Sequence, residues 1–181
     1  MEEKKEERVR AFIAIEIPKK VKEEIKKVQR QLPEFKGKLT EERNLHLTLK
    51  FLGHIDKKAL DMCRKNLGKV EERPFGAQIS GLGVFSKSQV RIVWLRMKNC
   101  DGLQKKIDNA LSGLFEKEDR FMGHLTIARV KSVKDRARFL AKLLKIKTSE
   151  MNFTVKSFSL KRSKLTRAGP TYETIEDYAL S

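Results

Sequence analysis

The sequence is short of the residues that would admit several kinds of protein. Only two cysteines, Cys63 and Cys100, occur among 181 residues, too few for a disulfide framework and without the paired spacing of a zinc site. Cys63 falls in an apolar helical stripe and Cys100 near a loop-to-helix junction. Both read as ordinary thiols of a reducing compartment, so a cytoplasmic location is expected. No apolar run is long enough to span a bilayer, and Met1 to Arg10 is charged where a signal peptide would be apolar; no membrane partner is expected. Asn and Gln are sparse beside abundant Lys and Glu, a bias that resembles thermophile composition. No low-complexity linker divides the chain, and no glycine-rich phosphate cradle supports ATP-driven chemistry. Acidic residues are outnumbered: 24 Asp and Glu stand against 41 Lys and Arg, a formal charge of +17. Such an excess attracts polyanions by releasing the counterions condensed on their phosphates.

The 39% apolar content suffices for one substantial core, in one domain or two intimate lobes. Val9 to Ile17 reads as a buried strand. Pro18 ends it, and Val21, Ile25, Val28 and Leu32 then recur at helical spacing until Pro33. Leu45 to Leu52 is a second strand. Asp56 is a candidate N-cap for a helix with the stripe Leu60, Cys63, Leu67 and Val70. Strands Phe75 to Leu82 and Val90 to Met97 flank a turn-rich segment. A helix carrying Leu103, Ile107, Leu111 and Leu114 follows, then a strand from His124 to Val130. Val133, Ala137, Leu140 and Leu144 mark the last helix. Two final strands, Asn152 to Leu160 and Thr171 to Ala179, surround a turn at Gly169-Pro170. The order lacks the even alternation of a doubly wound parallel sheet, so mixed α+β is the expected class.

Three histidines occur in the sequence, and two stand in nearly the same words: His46-Leu47-Thr48-Leu49 and His124-Leu125-Thr126-Ile127. Strand alternation puts His46, Thr48 and Lys50 on one face and Leu45, Leu47, Leu49 and Phe51 on the other. It likewise pairs His124 with Thr126, and places Arg129 on the opposite face. A lone strand histidine among leucines is commonly a packed residue. Two nearly identical settings that use two of three histidines point to chemistry. Two imidazoles around one anion-sized space can split a phosphodiester, one taking a proton from the attacking oxygen and the other giving one to the leaving oxygen. Histidine's ordinary pKa of about 6.5 suits both tasks. Threonine hydroxyls can donate to phosphate oxygens, and a cation can offset charge on phosphorus. No Cys, Asp or Glu stands at ligand spacing, so a metal site is not expected, and the acid-base chemistry calls for no cofactor. His54, after Gly53, reads as a surface loop residue.

These motifs resemble the RNA 2′,3′-cyclic phosphodiesterases, also called 2′-5′ RNA ligases, of the two-histidine phosphoesterase superfamily. Arg10-Ala11-Phe12-Ile13-Ala14-Ile15 resembles the family's opening strand, and Asn44-Leu45-His46-Leu47-Thr48-Leu49-Lys50-Phe51-Leu52-Gly53 its first signature. Gly83-Val84-Phe85 with Arg91-Ile92-Val93-Trp94-Leu95 is similar to its central hairpin. His124-Leu125-Thr126-Ile127-Ala128-Arg129 resembles its second signature, and Gly169-Pro170-Thr171-Tyr172 its tail. The chain departs from the family at Gly123, where a proline usually precedes the second histidine. That glycine predicts a looser lead into the strand.

The resemblance implies a single two-lobed domain over residues 1–181, with antiparallel sheets related by a pseudo-twofold axis and a cleft between the motifs. It implies hydrolysis of RNA 2′,3′-cyclic phosphate ends to 2′-phosphomonoesters, with His46 as proton donor, His124 as acceptor and Arg129 on the phosphate. Thr48, Thr126 and Lys50 are further candidate substrate contacts. The same acid-base pair can work in reverse, joining RNA ends through a 2′-5′ linkage. The expected partner is therefore RNA with a cyclic end or a 2′-5′ linkage, bound by a monomer. The competing reading is a non-catalytic basic RNA-binding protein that retains the fold. Retention of both His-Leu-Thr units favours the enzyme, since backbone binding needs only cations.

Overall fold

Strand-period and helix-period segments close on one core. The computed structural model describes residues 8–167 and 169–181; most of the charged opening segment, Met1 to Arg10, lies outside the described residues. The elements run β1 (Val9–Glu16), α1 (Lys19–Arg30), β2 (Lys36–Leu39), a short 3₁₀ turn (Glu42–Asn44), β3 (His46–Ile55) and α2 (Lys57–Leu67), followed by β4 (Phe75–Val84), β5 (Ile92–Lys98), α3 (Asp101–Ala110), β6 (His124–Ser132), α4 (Arg136–Leu143), β7 (Met151–Val155), β8 (Ser157–Thr166) and β9 (Gly169–Ala179). The fold is α+β. One sheet has the order β3-β1-β8-β9 and the other β2-β6-β5-β4-β7, with antiparallel pairing throughout.

Helical stripes seat the helices on the sheets. Val21, Ile25 and Val28 of α1 are buried, as are Cys63 and Leu67 of α2 and Leu103 and Ile107 of α3. Asp56 caps α2, its side chain accepting from the Ala59 N–H at 2.8 Å. Burial pushes the Cys63 and Cys100 thiols up, to about 11 and about 12, as expected of inert packed thiols. In α4 the buried residues are Phe139 and Leu143, whereas Leu144, expected inside, is exposed. Strand β2 was not expected: Lys-Gly-Lys-Leu is exposed along its whole length and has no apolar alternation. The tail holds three strands rather than two, because the chain changes sheets at Lys156, between β7 and β8. His54 lies on β3 opposite Arg10, not in a loop.

The two halves share one frame. β1 pairs with β3 as β5 pairs with β6, a helix follows each of the four strands, and the motif strands carry the same burial sequence, residue by residue, for nine positions. Both motif strands also slip at the same place, and β3 slips a second time at Leu52. Thr48 faces Ala14 and Lys50 faces Ile13, leaving Leu49 as an extra residue; Thr126 faces Trp94 and Ala128 faces Val93, leaving Ile127 extra. These are β-bulges, and each reverses the alternation downstream of the threonine.

The first bulge turns Lys50 into the protein, against the expectation that it shares the face of His46. Its Nζ lies 2.5 Å from Asp108 Oδ1 on α3 and donates to the Glu116 carbonyl at 2.6 Å. Asp108 also accepts from Gln104 Nε2 and the Glu118 N–H. Burial alone would raise the Asp108 carboxyl, but these donors hold it below the usual range. The pair ties β3 of one half to α3 of the other. Lys50→Met should destabilise the protein by about 3–5 kcal/mol in urea unfolding, because it leaves a buried carboxylate unpaired. The double variant Lys50→Met/Asp108→Leu should recover part of that loss. A Lys50→Met protein of unchanged stability would show that the pair contributes little.

Candidate active site

The paired strands bring the two motifs to one cleft of about 690 Å³, lined among others by His46, Thr48, His124, Thr126 and Arg129. Within each motif, histidine and threonine are two residues apart and share the open face while the leucines fill the core. The bulge at Ile127 then brings Arg129 onto the side of His124, correcting the position that strict alternation gives it. The bulge carbonyl accepts from Gln29 Nε2 at 2.8 Å and from the Thr40 N–H at 2.9 Å. Gln29, buried on α1, also donates to the Thr40 carbonyl at 2.9 Å. By the same geometry Phe51 enters the cleft and is 70% exposed, where a core position was expected. Lys50 alone of the candidate residues is not brought there.

Both imidazoles are held in the same way. His46 Nδ1 lies 2.7 Å from the Asn44 carbonyl and His124 Nδ1 lies 2.7 Å from the Met122 carbonyl. A carbonyl only accepts, so each Nδ1 carries a hydrogen, and each Nε2 is left to exchange a proton. Thr48 Oγ1 is 3.1 Å from His46 Nε2. The His46 ring sits 5.1 Å from Phe12 and 5.0 Å from Tyr172, whereas His124 packs edge-on to Phe85 at 4.8 Å. Asn44 Nδ2 donates to the Pro170 carbonyl at 3.0 Å, fixing the β8–β9 turn beside the residue that orients His46. Burial lowers the His46 imidazole to about 4, with Lys161 and Arg129 pushing the same way. The Asn44 carbonyl and Glu16 oppose them.

Gly123 is not loose. It is buried, its carbonyl accepts from the Met97 N–H at 2.9 Å, and a Cβ at this position would come within 2.3 Å of the Met97 carbonyl oxygen. Close backbone approach, rather than proline stiffness, fixes the lead into His124. Asn44, Gln29 and the aromatic seats of the histidines were not singled out from the sequence. They act through tertiary contacts, and the one local signal is the position two residues before each histidine. Among the described residues no group of three His, Cys, Asp or Glu side chains is placed to hold a metal ion, and no helix is long and apolar enough to cross a membrane.

A sequence model of LigT-like phosphoesterases matches residues 15–94 and 97–172, one span for each motif. The chain belongs to the LigT-like phosphoesterase family. It is 38% identical to an RNA 2′,3′-cyclic phosphodiesterase of Methanocaldococcus jannaschii, over 94% of this chain and 100% of that one. A protein of the same name from Methanothermobacter thermautotrophicus is 33% identical, over 96% and 100%. The fold is similar to a Thermus thermophilus crystal structure, with TM-score 0.80, 24% identity and coverage of 94% and 97%. It is equally similar to Escherichia coli LigT crystallised with 3′-AMP, with TM-score 0.79, 23% identity and coverage of 97% and 99%. Membership in this LigT-like family accounts for the two antiparallel sheets related by a pseudo-twofold axis.

Two measurements check the site. In NMR titrations of the imidazole nitrogens, His46 of the free protein should remain the neutral Nδ1–H form at neutral pH and protonate near pH 4. Inorganic phosphate should move that protonation upward, since a nearby anion favours the charged ring. A His46 that titrates at its ordinary value in free protein would contradict the buried seat. Gly123→Ala should cost roughly 1–3 kcal/mol by overpacking and displace His124, seen as a loss of its Nδ1–H signal. An unperturbed His124 in that variant would mean the strand can shift freely.

Proposed function

We propose that this LigT-like phosphoesterase hydrolyses 2′,3′-cyclic phosphate ends of RNA to 2′-phosphomonoesters by general acid-base catalysis. The observation that carries the reading is the matched pair of carbonyl-anchored histidines, each with a threonine, at one cleft. The name shared by the relatives supports the substrate. His124 Nε2 takes a proton from water as the water oxygen bonds to phosphorus. The bond from phosphorus to O3′ breaks, and His46 Nε2 gives its proton to that oxygen. Thr48 and Thr126 donate to the non-bridging oxygens, and Arg129 offsets their growing charge. With a 5′-hydroxyl in place of water, the same transfers form a 2′-5′ linkage.

His46 poses the electrostatic question. Its imidazole is lowered to about 4, yet the donor must carry a proton when O3′ departs. The bound phosphodiester supplies the opposing charge. An anion against Nε2 favours imidazolium and opposes the desolvation that favours the neutral ring.

The test is turnover of a 2′,3′-cyclic nucleotide with identification of the product isomer. His46→Ala and His124→Ala should each slow turnover by roughly 100-fold or more, and chelator should leave the wild type active. An ester whose leaving group needs no proton, such as a nitrophenyl ester, should partly rescue His46→Ala and not His124→Ala. The opposite pattern would exchange the two roles. Full activity in either variant would remove that histidine from the mechanism, and a 3′-phosphate product would overturn the assigned bond cleavage.

A further inference from the structure

The two rims of the cleft differ in how their charges are used. On the first-sheet rim, Lys161 is paired with Glu16, and Arg162 and Lys164 with Glu173, while Arg10 of β1 lines the cleft with no carboxylate partner among the described residues. That rim also presents Phe51 and Leu165, 70% and 73% exposed. The second-sheet rim is different. Arg129 and Lys131 of β6, Lys36 of β2, and Arg91 just before β5 are exposed, and none has a carboxylate partner among the described residues. They are adjacent in the sheet. Lys38 faces Arg129 and Lys36 faces Ser132 across the β2–β6 ladder, and Arg91 donates to the Lys131 carbonyl at 3.2 Å. The equivalence of the two halves sharpens the contrast. Phe51 and Arg129 stand five residues after their histidines in matching frames, so one half offers an apolar ring where the other offers a guanidinium.

From this asymmetry we infer that single-stranded RNA leaves the cleft over the second-sheet edge, its phosphates held by Lys36, Arg91 and Lys131 beyond Arg129. The inference rests on the phosphodiesterase reading and adds the path of the chain. A 2′,3′-cyclic phosphate is a 3′ terminus, so everything beyond the terminal nucleoside extends in the 5′ direction, from the histidines outward along one rim. Phosphates require unpaired cations, since a lysine already held by a carboxylate releases little counterion free energy on exchange. The second rim offers four of them in one cluster beside the site, whereas Arg10 of β1 is the one cleft-lining cation of the first sheet among the described residues. The apolar first rim, with Phe12, Phe51 and Tyr172 around His46, is left to the terminal nucleoside. An edge strand such as β2, short and doubly lysine-bearing, suits this use because its charges also block sheet-to-sheet association.

The experiment compares two triple variants with the same change in net charge. One is Lys36→Glu/Arg91→Glu/Lys131→Glu. The control is Lys57→Glu/Lys58→Glu/Lys65→Glu on α2, whose three lysines are also exposed. The probe is a short single-stranded oligoribonucleotide ending in a 2′-phosphate, with affinity measured against salt; turnover of a 2′,3′-cyclic mononucleotide is measured in parallel. The rim variant should bind the oligonucleotide tenfold or more weakly, and its salt slope should fall by about 2, at roughly 0.7 per lost phosphate contact on a single strand. Its turnover of the mononucleotide should match the wild type, and the α2 variant should bind with near wild-type affinity. Equal weakening in both variants would mean that charge holds RNA diffusely and would overturn the path, as would an unchanged rim variant. Loss of mononucleotide turnover in the rim variant alone would also overturn it, because the residues would then belong to the cleft. Failure of the wild type to hydrolyse the mononucleotide would instead strike the phosphodiesterase reading, and leaves the binding comparison to judge the path separately.

Discussion

Three side chains of the second motif, His124, Thr126 and Arg129, stand at offsets of zero, two and five along one strand, and strict alternation cannot send all three to one side. The extra residue at Ile127 resolves the parity, and its counterpart at Leu49 does the same in the other half. Much of the site follows from this slip. It requires two consecutive residues, Ile127 and Ala128 or Leu49 and Lys50, to face the core. Ile127 is also left without a partner on β5, and its carbonyl needs donors. Gln29 from α1 and the Thr40 N–H supply them, which explains a buried glutamine on an otherwise apolar helix face. In the first half the slip buries a lysine, so Asp108, Gln104 and the backbone of the loop before β6 assemble around it. One local irregularity thus dictates two buried polar networks, each linking one half to the other.

The histidines, the threonines and the α+β class were legible in the sequence because they follow from local periodicity. The repeated His-Leu-Thr wording, the strands carrying it and the stripes of α1, α2 and α3 use only nearest-neighbour geometry. What was not legible depends on phase or on distant partners. Lys50, Phe51 and Arg129 were each assigned the face that unbroken alternation gives, and each stands on the other face, since nothing in Leu-Lys or Ile-Ala announces a bulge. Strand β2 escaped notice because an exposed edge strand has no buried side to write an apolar pattern. The sheet change at Lys156 carries no glycine or proline, since the chain passes between adjacent sheets without reversing sharply. Gly123 shows the opposite error: a glycine read as slack is a point of closest backbone contact.

The shared frame leaves the difference between the two histidines to their surroundings. Both have the same carbonyl at the same distance on Nδ1, so tautomer and orientation cannot distinguish donor from acceptor. Their neighbours differ. His46 lies between Phe12 and Tyr172 with Glu16 opposite it on β1, whereas His124 has Phe85 at its edge and Arg96 opposite on β5. On the proposed assignment, the ring between Phe12 and Tyr172 is the donor, although burial makes it reluctant to hold a proton. That reluctance has a use. A permanently charged imidazolium would attract any anion to the cleft. A ring that becomes charged only against phosphate couples its acidity to occupancy of the cleft. The apolar surroundings stabilise the charged ring poorly, and transfer of its proton to the departing O3′ restores the neutral form that burial favours. The desolvation that opposes loading the donor therefore favours its discharge, and the substrate's own charge decides when each occurs.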